Sequence, residues 1–231
     1  MRKYSKRSSS EIRIAYGIEL IAGLETFDAT KELAQTLRPV NDELKALRDA
    51  RSQKEHERAT RRAALRAAEY HLDQGVRSFA RAVEIADGGR RGSTYQAVFP
   101  GGMAPLIAPE GRRQVEPAAK FLERLRALKT PSLEATRAEW LPRLEAALQS
   151  FQDAVRAYDV VASELAQLFA QELLVRDEHE LAVERLIGHV RAQFPRDSAL
   201  REVIFPFVGA RRSGEVEDEE GEADLLVGAA Q

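Results

Sequence analysis

The chain has no cysteine among its 231 residues. That removes disulfides, thiolate metal sites, cysteine nucleophiles and thiol redox chemistry together. Aromatic residues are 6% of the total, and glycine (14) and proline (9) are sparse, which disfavours a turn-rich β architecture. Lysine is scarce as well: it supplies 7 of the 35 cations against 28 arginines, a bias we read as the codon usage of a GC-rich, bacterial genome. No stretch approaches the ~20 apolar residues of a membrane helix. Near the N-terminus Arg13 and Glu19 break the one apolar run that could pass for a signal sequence, so the expected setting is cytoplasmic. What remains is rich in Ala, Leu, Arg and Glu, a helix-forming alphabet.

The formal charge of −2 is a sum of unlike parts. Arg2, Lys3, Lys6 and Arg7 open the chain with four cations, and from Ser213 onward there are seven acids and no cation. Both ends lack the apolar density that offsets ordering entropy. The expected organisation is therefore a basic unstructured segment over 1–10, a single helical domain over 11–210 and an acidic tail over 211–231.

Apolar residues recur at helical spacing through the body. A first helix is expected over Glu11–Leu37, bent near Asp28 and ended by Pro39, with Gly17, Ala22 and Gly23 permitting close helix approach. Asn41 then reads as the cap of a long helix reaching Ala86. Gly88 and Gly89 stop it, and a loop to about Arg113 carries enough apolar residues to pack back on the body. A short helix follows over Gln114–Leu128. From Thr130-Pro131 another long helix runs to Phe194, with a kink or restart expected at Pro142. Leu141, Leu144, Leu148, Phe151, Val155, Tyr158, Ala162, Leu165 and Phe169 form a seam of 3.5-residue period, the mark of coiled-coil packing. The charged run Arg176–Glu180 reads as an interruption of it. A last helix is expected over Ser198–Ile204. The fold class expected is all-α: an elongated antiparallel helical bundle with two long coiled-coil-like helices. Matching Ala-Val-Glu and Phe-Pro segments also raise an internal duplication of 41–109 and 131–206.

No constellation points to catalysis. The four histidines, His56, His71, His179 and His189, include no Glu-x-x-His or His-Glu-x-x-His, and read as solvated or core-edge side chains. GGRRGST (Gly88–Thr94) lacks the lysine, the spacing and the strand of a phosphate loop. The expectation is accordingly a protein that is not an enzyme, with no cofactor and no metal. It would be a structural or adaptor protein that binds protein partners and forms a homo-oligomer.

Two segments carry the interaction candidates. Between Asp42 and Arg66 eight cations stand against five acids, and Arg48–Arg62 contains no large apolar side chain. Arg51, Arg58, Arg61, Arg62 and Arg66 could follow a phosphate backbone, although the absence of stacking aromatics speaks against single strands. A solvated arm, or a docking face for the acidic tail, is the plainer reading. At the other end, Leu225, Leu226 and Val227 with Gly228 and Ala229 resemble the Leu-x-Val-Gly-Ser core of peptides that load cargo into encapsulin shells. Ala229 and Ala230 stand where Ser-Leu is usual. That resemblance implies an adaptor or cargo docking through its C-terminus.

Overall fold

The computed structural model describes residues 3–206. It contains seven α-helices: α1 (Ser10–Glu25), α2 (Lys31–Ala86), α3 (Ser93–Val98), α4 (Ala104–Ile107), α5 (Arg112–Ala127), α6 (Glu134–Gln193) and α7 (Ser198–Ile204). There is no strand among the described residues, and the fold is an all-α bundle in which α2 and α6 pack together. Asn41 meets His179, Arg51 meets Glu172 and Lys54 meets Glu164, so the two long helices run antiparallel.

The helix boundaries depart from the sequence expectation at Pro39, and at Pro142 α6 continues without a restart. The first helix ends at Glu25, not Leu37. Thr30 closes the connection, its Oγ1 donating to Leu24 O at 2.7 Å and its amide to Phe27 O at 2.9 Å. Pro39 then lies inside α2, and Asn41 is a buried side chain instead of a cap. A proline in a helix interior costs about 3 kcal/mol. Here Pro39 and Gln35 are both exposed, so water can satisfy the carbonyl that loses its donor. Ala34, Leu37 and Leu44 meanwhile keep one buried stripe running through it. Pro142 is an exact parallel: it is exposed, α6 passes through it, and Leu144 and Leu148 are buried just beyond. Hydrophobic burial on both sides outweighs the lost hydrogen bond.

The described residues group into two compact units. One takes the residues up to Lys54 and those from Glu164 on; the other is Glu55–Ser163. Each long helix contributes to both, so the division does not follow 41–109 and 131–206.

The central unit is built on Phe79, Val83, Phe121, Leu125, Leu144 and Phe151. Phe99 stacks on Phe121 at 5.4 Å and Tyr95 tilts against Phe99 at 5.1 Å. The connection after α2, expected as a loop that packs back, does so through α3 and α4. Gly88, at φ +77°, and Gly89 form a Schellman stop, donating to Ile85 O at 3.1 Å and Glu84 O at 2.9 Å. The Tyr95 amide donates to Asp87 Oδ2 at 3.1 Å, and Glu69 Oε1 accepts from Gly111 N at 2.7 Å.

The unit holding both ends of the described chain packs α1 and α7 against α2 and α6. Its apolar core includes Tyr16, Leu20, Leu24, Leu37, Leu186 and Val190. A Cβ on Gly23 would lie 2.3 Å from Ile204 O, so only glycine permits the contact of α1 with α7. Lys3–Ser9, expected as an unstructured basic segment, is packed: Tyr4 and Ser8 are both buried.

Candidate functional site

The seam of α6 does not stop at the charged run. Counting on by sevens from Phe151, Tyr158 and Leu165 arrives at Glu172, His179 and Leu186, and all three of these are buried. The inward stripe therefore continues with two polar side chains at core positions. Buried polar groups are costly unless fully hydrogen-bonded, and the partners come from three other segments.

His179 is fully buried and uses both ring nitrogens. Nε2 lies 3.2 Å from Asn41 Oδ1 and Nδ1 lies 2.7 Å from the Tyr4 hydroxyl. The amide oxygen can only accept, so Nε2 carries the proton and Tyr4 donates to Nδ1. Burial, with the nearby Arg13 charge adding to it, pushes the imidazole pKa down to about 4. His179 is thus a neutral structural imidazole inside the core, not the solvated or core-edge side chain expected. Burial likewise pushes the Tyr4 hydroxyl up to about 12 against the opposing pull of Arg13. Gly17 makes room for the cluster: a Cβ there would sit 2.0 Å from Asn41 Oδ1 and 2.9 Å from His179 Nε2.

Arg13, 2% exposed, gathers the first residues onto this layer. Its guanidinium donates to Lys6 O (2.6 Å), Ser8 O (3.1 Å) and Arg176 O (2.9 Å). It also stands 4.8 Å above the Tyr4 ring and 3.5 Å from Glu180. Lys3 bridges Glu180 (2.7 Å) and Glu184 (2.6 Å). The Lys3 hydrogen bond holds the Glu180 carboxyl below its usual range against the effect of burial. Burial acts to lower the Lys3 ammonium pKa, but its two carboxylate partners together raise it. Glu172 accepts from the Ser10 hydroxyl and pairs with Arg51 Nε at 2.9 Å. Chemically the arrangement is a set of hydrogen bonds and ion pairs that fastens residues 3–10 to α1 and α6.

Beside it an open groove of about 430 Å³ runs between α2 and α6. Leu33, Thr36 and Val40 form one wall, and Glu178, Leu181, Ala182, Arg185, Leu186 and His189 the other. The Thr36 hydroxyl is spent on Leu33 O at 2.7 Å, which leaves the α2 wall apolar. Leu181 is 51% exposed, and Leu174, two turns earlier, 66%. No residue of the polar layer lines this groove.

The basic candidates separate. Arg51 is turned inward, paired with Glu172 and lying 5.6 Å over the Phe169 ring. Arg58 is half-buried, Arg61 pairs with Glu57 at 3.5 Å, and Arg62 and Arg66 are exposed. Arg51 belongs to one compact unit and the other four to the other. Leu225, Leu226 and Val227 lie outside the described residues. In Gly88–Thr94, Arg91 stands 3.8 Å from Glu84 and over the Tyr95 ring. Among the described residues no group of three or more His, Asp or Glu side chains is placed to hold a metal ion. None of their helices is long and apolar enough to cross a membrane.

Fold and site define an all-α bundle with a buried polar layer and an open apolar groove. No family model, curated protein or solved structure matches the chain.

Proposed function

We propose that the protein is a non-catalytic structural or adaptor protein that assembles with protein partners through the faces of its helices. The observation that carries this reading is the groove between α2 and α6, in which Leu33, Val40, Leu181, Ala182 and Leu186 lie among the charged Glu178 and Arg185, with Leu181 exposed in it and Leu174 exposed two turns earlier on α6. Contiguous exposed apolar surface rimmed by charge is the usual signature of a contact site. A groove between two parallel-running walls suits an incoming helix, which inserts side chains at 3/4 spacing. Its setting in this reading is the cytoplasm, where a chain built without disulfides needs no oxidising compartment.

Chemical cross-linking in cells, followed by sizing of the adducts, tests the reading. The expected result is a defined complex larger than one chain, lost when Leu181→Glu places a charge in the groove. Recovery of the uncomplexed single chain alone would overturn it.

A further inference from the structure

We propose that the occupant of the groove is a second copy of this chain, with the two α6 helices crossing antiparallel about a two-fold axis between Leu181 and Ala182. This rests on the assembly reading above and names its partner.

The argument comes from the pattern on the exposed flank of α6. Glu178 and Arg185 are both exposed and seven residues apart. Their neighbours at three and four residues' distance are Leu174, Val175, Leu181 and Ala182 for Glu178, and Leu181, Ala182, Gly188 and His189 for Arg185. Neither therefore has a carboxylate or an arginine or lysine in reach along its own helix, and neither forms an ion pair among the described residues. Elsewhere on α6, Arg137, Arg143 and Arg156 pair with acids at this spacing. Two opposite charges left alone across an apolar surface ask for partners from outside.

A two-fold between 181 and 182 supplies them. It sets Glu178 of each copy against Arg185 of the other, Leu181 against Ala182, and Leu174 against His189. Thus five of the six groove-lining residues of α6, together with exposed Leu174, map onto one another under a single operation, as a self-complementary two-fold contact requires. The large Leu181 meets the small Ala182, a knob facing a hole, while Leu33 and Val40 of α2 wall the groove in which the second helix lies.

The test uses the full chain and four proteins measured by sedimentation equilibrium, with helicity followed by circular dichroism. Wild type is expected to be a dimer. Glu178→Arg sets Arg against Arg185, and Arg185→Glu sets Glu against Glu178, so each single variant should dissociate at least about tenfold more readily. Combining the two exchanges restores both pairs and should restore the dimer. Mixing the two single variants should give a heterodimer, because each then meets its opposite charge. Ala182→Cys, the only cysteine in its chain, should oxidise readily to a covalent dimer.

A dimer unaffected by the single changes, or one that the double exchange fails to restore, overturns the register and the inference with it. A monomeric wild type that nevertheless cross-links into a larger complex in cells overturns the second-copy partner and leaves the assembly reading standing. Absence of both overturns both.

Discussion

The Tyr4 hydroxyl reaches His179 Nδ1 across 175 positions of chain, at 2.7 Å. That contact joins the first described residues to the C-terminal third of α6. It also fixes the tautomer of a histidine that burial keeps neutral.

Stability should therefore fall in acid through His179. Its folded pKa, about 4, lies below the 6.5 of a free imidazole. The unfolded chain binds the proton first, so the neutral folded form is favoured fully above pH 6.5. The contribution, about 3 kcal/mol, is lost as pH falls from 6.5 to 4. Urea unfolding of wild type and His179→Gln across that range should show this component in wild type alone.

Arg13→Ala should cost about 3–5 kcal/mol, since it strips buried carbonyls of donors and leaves Glu180 with Lys3 alone. Lys3→Ala, at the edge of the same layer, should cost less than about 1 kcal/mol. Thermal unfolding separates them, and equal losses would contradict the role of Arg13 in holding the first residues to α6.

Gly17→Ala and Gly23→Ala should each destabilise by about 1–3 kcal/mol by forcing helices apart. Gly188→Ala has nothing within 4 Å of the added carbon and should stabilise by about 0.5–1 kcal/mol, the ordinary helix gain over glycine. Melting temperatures of the three variants report the sign directly.

Pro39→Ala and Pro142→Ala should each raise stability by about 1–3 kcal/mol, because the helix already continues through both sites and regains a hydrogen bond. Had these prolines ended helices, alanine would bring no such gain. Denaturant midpoints decide.

Arg51→Ala should cost about 3 kcal/mol by leaving the Glu172 carboxylate buried without its cation. Arg62→Ala, on the exposed surface, should stay within about 0.5 kcal/mol. Two arginines of one basic stretch would thus behave as different kinds of residue.

Much of this molecule follows from local chemistry. The helix alphabet, the 3.5-residue seam, the Gly88-Gly89 stop and the extent of α7 are all set by residues close together in the chain, and periodicity reads them. Gly17 and Gly23 are legible as places of close approach for the same reason. The heptad count even reaches Glu172 and His179, although their charge and polarity there look like an interruption. Whether a polar residue at a seam position faces the core depends on a partner, and the partners are Ser10 and Arg51 for one, Tyr4 and Asn41 for the other. Those lie more than 100 residues away. Only the tertiary structure could decide it, because burial becomes tolerable once donors and acceptors from distant segments converge. The prolines make the same point: propensity alone ends a helix at Pro39, and packing on either side carries it through. The scarcity of cysteine, glycine and aromatics defined the kind of fold; the convergence of Tyr4, Arg13, Asn41 and His179 decided what lies at the heart of one of its units.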